Sequence, residues 1–291
     1  MQDSLTRRAF NRSFLLLTGS LCLSSKAFGK SVQLPKVGIQ SNLGNAPQIH
    51  AAGGQFVGLS VADFLDPFSK EEEFAEKLET LSHSPIPIYT CNSFIRANHL
   101  HCTGPEANHD EVVEYCEIAF DRAKRANVTN ITFGSSGARR IPDGFEYEKA
   151  IEQFVSLLKR LGPLAAARGV TVSVEQLRTQ ECNFINHITE VERVVRAADH
   201  PNIRGVADFY HMAAEGDTPE QLAAAADIVH HVEIAELEGR RVPGTSGQDF
   251  RPLLGVLKKA GYQGAIGIEG NWELSEMEAA FKEIKKQWTE A

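Results

Sequence analysis

Four short runs of the chain carry an acid or an imidazole at or near their C-terminal ends. TVSVEQ (Thr171–Gln176) carries Glu175, IRGVAD ends on Asp208, VHHVEI carries His231 and Glu233, and GAIGIE ends on Glu269. Each run sets small and branched apolar residues before the polar one, the pattern of a buried strand with a ligating side chain at its C-terminal tip. Carboxylate and imidazole groups suit a divalent cation, and their types alone do not rank Mn, Mg, Co and Zn. Taken singly, Glu175 reads equally as a salt-bridge partner and Asp208 as a turn cap. Glu269 is harder to explain away, because a buried strand rarely ends in an unpaired acid. Recurrence at four successive strands favours a shared metal held by Glu175, Asp208, Glu233 and Glu269. His231 and Glu233 lie two apart and face the same side of their strand, with His230 on the other. Glu233 is nearer the strand end and is the expected ligand, leaving His231 below it as a supporting donor.

Two polar loops add candidates for substrate contact. Phe133–Arg140 (FGSSGARR) follows an expected strand, and its glycines let backbone N–H groups approach a substrate oxygen or phosphate. Arg139 sits within it, although a plain turn would have the same composition. Of the Arg240-Arg241 pair, one guanidinium, assigned here to Arg241, is expected to reach substrate hydroxyls or a carboxylate, and the other to be solvated. His211, three residues past Asp208, is either an ordinary satisfied imidazole or a substrate contact.

Eight expected strands would position these residues: Val37–Gln40, Gln55–Ser60, Ile86–Tyr89, Asn130–Phe133, Val170–Glu175, Ile203–Asp208, Val229–Ile234 and Ala265–Glu269. Helical periodicity falls between and after them, at 71–81, 110–126, 147–168, 188–198, 219–226, 250–260 and 275–288. Strands alternating with helices over about 260 residues have the rhythm of an α/β fold, a single (β/α)8 TIM barrel, in which all C-terminal strand tips meet on one face. A doubly wound sheet is the alternative, but no GxGxxG follows the first strand.

The chain has 291 residues, of which 42% are hydrophobic and 23% charged, ordinary for a globular protein. A net charge of −8 and a pI near 5.7 argue against a nucleic-acid surface. The first 29 residues read as a twin-arginine signal: Thr6-Arg7-Arg8-Ala9-Phe10, the apolar stretch Phe14–Leu23, and a small-x-small site at Ala27-Phe28-Gly29. The apolar stretch is too short to span a bilayer, so no stable membrane anchor is expected. The barrel would then occupy residues 30–291 and reside in the periplasm after export by the twin-arginine machinery. Cys91, Cys102, Cys116 and Cys182 show no CxxC spacing. Self-association is left open.

Six phrases carry a family resemblance: CNSF (Cys91–Phe94), FGSSGARRIPDGF (Phe133–Phe145), VEQLRTQECNFIN (Val174–Asn186), HPNIRGVADFYHM (His200–Met212), HVEIAELEGRRVPG (His231–Gly244) and GYQGAIGIEG (Gly261–Gly270). With them the chain resembles the sugar phosphate isomerase/epimerase family, with its xylose-isomerase-like TIM barrel. The resemblance implies metal ligands at Glu175, Asp208, the site on strand seven and Glu269, and substrate contacts from His211 and an arginine of the 240–241 pair. It implies proton transfer next to a carbonyl of a small sugar substrate, with Glu175 and Glu269 as acid and base. The chain departs from the pattern twice. His231-Val232-Glu233 puts a glutamate where family members commonly have the second histidine of HxH, and Gly58 stands where a glutamate is common on strand two.

Overall fold

Eight parallel strands close into a barrel in the computed structural model, which describes residues 33–291. The twin-arginine pattern, the apolar stretch and the cleavage site lie outside the described residues. The strands are β1 (Lys36–Gln40), β2 (Val57–Ser60), β3 (Ile88–Asn92), β4 (Asn130–Phe133), β5 (Thr171–Val174), β6 (Ile203–Asp208), β7 (Val229–Ile234) and β8 (Ala265–Ile268). Each pairs with the next in chain order, and β8 returns to β1 with Lys36 opposite Ala265 and Ile39 opposite Ile268. Closure leaves no sheet edge and brings all eight C-terminal tips to one rim. The expected (β/α)8 architecture is therefore the one formed.

The register matters most between β6 and β7, where Asp208 lies opposite Glu233. On the next pair Glu233 lies opposite Gly267, which brings no side chain of its own to that position. Along β7, His231 and Glu233 point into the barrel, while Val232 and Ile234 pack outward in the apolar layer between strands and helices.

Two of the differences from expectation bear on the site. The apolar pattern places the third strand at Ile86–Tyr89, whereas it runs from Ile88 to Asn92. Pro87 has no N–H to give the ladder, so pairing starts beyond it, and Thr90 and Cys91 continue against Asn130 and Ile131. This shift carries Asn92 to the rim. A further helix, Phe209–Glu215, starts directly after β6, and the Asp208 side chain caps it by accepting the His211 N–H at 2.9 Å. Capping thus fixes Asp208 and His211 relative to one another.

A chain of buried aromatic rings anchors the rim loops. Phe94, just past β3, meets Phe133 of β4 edge to face at 5.2 Å; Phe133 lies 5.2 Å from Phe154, and Phe154 5.6 Å from Phe184. Phe154 belongs to the helix Tyr147–Ala167, so this helix ties together the loops after β3, β4 and β5. Truncating the fully buried ring should therefore cost more than local packing. Phe154→Ala is expected to lower unfolding free energy by about 3–5 kcal/mol in urea denaturation, with loss of under about 1 kcal/mol showing the ring is not an anchor.

Candidate active site

Glu175, Asp208, Glu233 and Glu269 converge at the barrel mouth, each offering an oxygen within 4.8 Å of the others. Glu175 and Glu269 come directly after the last residues of β5 and β8, and Asp208 and Glu233 lie on β6 and β7. Asp208 and Glu233 are fully buried, and Asp208 Oδ2 and Glu233 Oε2 have no hydrogen-bond partner. Burial, reinforced by Glu269 and Asp208, pushes Glu175 well above the usual carboxylate range, although Arg139 and Arg240 pull the other way. Burial also raises Glu233, helped by Glu269, Glu175 and Asp208. Such crowding needs protons or a cation to persist. Oxygen donors with orphaned buried oxygens fit a divalent ion.

Polar groups below this cluster orient it. Ser173 donates to Asn130 Oδ1 at 2.6 Å, Asn130 donates to Thr90 at 2.8 Å, and Thr132 donates to Glu233 Oε1 at 3.3 Å. His231 lies deeper, buried against Phe56 and Tyr89, with Nε2 3.6 Å from Glu233 Oε1. Burial, with His230 nearby, lowers it to about 3, so the ring is neutral. It does not line the cavity and lies buried below Glu233.

Above the cluster is a cavity of about 420 Å³ lined by residues that include Asn92, Gly134, Glu175, His211, Arg240 and Glu269. His211 Nδ1 accepts the backbone N–H of Arg178 at 3.2 Å, which places the proton on Nε2. That N–H lies 3.7 Å from Glu175, 3.9 Å from Asp208 and 4.0 Å from Glu181. Glu269 is bound by Asn92 and, at 2.8 Å, by Arg240. Arg240 stacks 4.6 Å over the Tyr210 ring and also reaches Glu181 at 3.5 Å.

Both arginine expectations change. Arg241 pairs with Glu276 and lies outside the cavity lining; Arg240 is the guanidinium that faces in. Adjacent residues leaving a strand point in different directions, and no pattern in the sequence says which. Arg139 is fully buried under its loop, donating to the Phe133 carbonyl at 3.3 Å, and influences Glu175 through charge instead of touching substrate. The second departure, on β2, is filled locally. A Cβ at Gly58 would sit 2.2 Å from Gln40 Oε1, so the Gln40 carboxamide takes that wall. Asn92, Gln40 and Thr132 are site residues that the sequence does not single out; Asn92 lies within CNSF, the signal that could have found it.

Close approach explains one glycine of the FGSSG loop. A Cβ at Gly134 would lie 2.2 Å from Glu175 Oε2. Gly134→Ala should displace that carboxylate and weaken binding of added Mn²⁺ by at least about tenfold in calorimetry, whereas unchanged binding would show the loop yields freely. A second loop depends on Glu236. It is buried, yet the Ser246 hydroxyl and the amides of Ser246, Gly244 and Gln248 outweigh desolvation and hold it below the ordinary value of 4.5. A depressed carboxylate stabilises the fold at pH above its unfolded value and loses that contribution as pH falls through its folded value. Glu236→Gln should cost about 1–3 kcal/mol at pH 7 in urea unfolding, with the gap to wild type narrowing under acid conditions; a gap independent of pH would refute the assignment.

Comparison with known proteins places this geometry. An L-ribulose 3-epimerase of Methylomonas sp. is 30% identical over 116 residues, 40% of this chain and 40% of that protein. The chain thus spans well under two thirds of that relative's length. The solved 3-keto-D-glucoside 4-epimerase of E. coli superposes with a TM-score of 0.72 at 18% identity, covering 87% of this chain and all of that one. The IolI protein, solved with a zinc atom, superposes with a TM-score of 0.68 at 18% identity, covering 88% and 97% of the two chains. At such identities these structures share the fold. The model of the xylose isomerase-like TIM barrel family matches residues 47–290, and the chain belongs to that family.

Proposed function

We propose that the protein is a divalent-metal-dependent sugar isomerase or epimerase that moves a proton on the carbon next to a carbonyl of a free sugar or keto-sugar. The observation that carries this is the division of labour among the four acids. Glu175 and Glu269 line the cavity, while Asp208 and Glu233 lie beneath it. Two carboxylates entering from β5 and β8 are suited to serve opposite faces of one carbon. The two epimerases named above bear names that put the inverted carbon beside a keto group.

A cation held by Glu175, Asp208, Glu233 and Glu269 would supply Lewis-acid polarisation of the substrate carbonyl. The remaining work belongs to the chain. One of Glu175 and Glu269 removes the proton, leaving an enediolate, and the other returns one to the opposite face or to the neighbouring carbon. Burial and neighbouring acids push Glu175 toward its protonated form, which suits it to hold a proton. Asn92 and Arg240 fix the orientation of Glu269, and the His211 Nε2–H can donate to a substrate oxygen. Expulsion of a β-substituent from the same enediolate would make the enzyme a keto-glycoside lyase. Loss of chemistry would leave a sugar-binding barrel.

The twin-arginine residues at the N-terminus support export to the periplasm, where free sugars and glycosides outweigh phosphorylated metabolites. No helix among the described residues is long and apolar enough to cross a membrane.

Proton exchange tests the shared step. Ketoses, aldoses and 3-keto-glycosides incubated in deuterated water should gain deuterium beside the carbonyl, and a chelator should stop it. Glu175→Gln and Glu269→Gln should each reduce exchange by about 10²–10⁴-fold. Exchange indifferent to both substitutions would rule out the mechanism.

A further inference from the structure

We infer that the site holds its cation through carboxylate oxygens alone, with Glu233 as the residue that biases it toward a hard ion such as manganese or magnesium and away from zinc. This rests on the metal-holding reading above and names the ion class that reading leaves open.

The donor set follows from which atoms have free lone pairs at the cluster. Four carboxylates supply the oxygens within 4.8 Å of one another. Glu233 Oε2 and Asp208 Oδ2 are buried, unpartnered and on residues opposite one another across β6 and β7. The other oxygen of Glu233 is held by Thr132, which leaves Oε2 uncommitted. Two imidazoles are near, and neither is a natural donor. His211 is within reach of Glu175 and Asp208, but its Nδ1 accepts the Arg178 N–H, so Nε2 carries the proton and offers no lone pair. His231 lies under Glu233, wedged by Phe56, Tyr89 and Gly267, and belongs to neither group of residues able to share an ion. The cysteine at the rim, Cys182, is buried with its sulfur directed at the Ser136 carbonyl.

Ligand type then decides preference. Carboxylate oxygens suit magnesium, calcium and manganese, and imidazole nitrogen moves a site toward zinc. A fourth carboxylate also adds one more negative charge than a site with a neutral imidazole, deepening the need for a cation. Glu233 is thus a specificity-determining residue for the ion.

Chelator-stripped protein dialysed against equimolar Mn²⁺ and Zn²⁺, with bound metal counted by mass spectrometry, gives the wild-type ratio. Glu233→His should raise bound zinc relative to manganese by about tenfold or more, and Glu233→Gln should weaken manganese binding without that gain. Pulsed electron paramagnetic resonance on Mn²⁺-loaded protein provides a second readout: no coupling from a directly bound ¹⁴N in wild type, and its appearance in Glu233→His. A zinc-to-manganese ratio unchanged within about twofold in Glu233→His, or ¹⁴N coupling in wild type, would overturn the inference. If Glu233→His does not fold, the wild-type spectrum decides. Wild-type protein that takes up neither ion overturns it too, and does so by removing the metal reading itself, independently of any variant.

Discussion

Four carboxylates share one small volume at the mouth of this barrel, and mutual repulsion is the constraint to which the surrounding structure answers. In water such a group of acids would separate. Here two of them are sealed in the interior, where the effective dielectric is low and the repulsion correspondingly large. The fold holds them together through backbone geometry: Asp208 faces Glu233 across a strand pair whose register the outward-facing apolar residues fix. Arg240 and the buried Arg139 are the nearby positive charges; at Arg240 burial works against ionisation while Glu269, Asp208, Glu175 and Glu181 hold it charged. Two guanidinium groups do not balance four acids, so the remainder falls to protons or to a bound cation.

Holding this arrangement requires space as much as charge. Gly134 leaves room for the Glu175 carboxylate, Gly58 admits the Gln40 side chain, and Gly267 lies against the His231 ring. A Cβ at Gly134 or Gly58 would displace a polar group of the site, and one at Gly267 would press on His231 beneath it. The glycines of the rim are thus part of the binding surface.

Much of this is legible in the chain itself, for a physical reason. A parallel barrel writes its strands as short apolar runs and places functional groups at their C-terminal ends, so the amino-acid order alone singles out Glu175, Asp208, Glu233 and Glu269. Direction and tertiary contact are what such a pattern does not carry. Arg240 and Arg241 are neighbours with opposite fates, decided by the turn after β7 and the Tyr210 ring. Asn92 escapes notice because Pro85 and Pro87 look like the brackets of the third strand, when the strand starts after the second of them. The interior chain from Ser173 to Glu233 joins β3, β4, β5 and β7, and no local pattern announces a contact that spans so many elements.

Glu236 offers the internal comparison that gives the orphaned oxygens their meaning. It lies three residues beyond Glu233 and is likewise closed to solvent, yet the loop at 244–248 wraps it in backbone amides and a hydroxyl. The fold therefore has the means to satisfy a buried carboxylate when that carboxylate serves structure, and its pKa is then held below the ordinary range, keeping it ionised. At Glu233 the same chain provides a single hydroxyl from Thr132 and surrounds the group with other acids. An unsatisfied buried carboxylate costs more than the packing around it returns unless something else meets its lone pairs. The contrast between two glutamates so close in the chain thus points away from a packing accident at Glu233 and toward a site built to be completed by a cation.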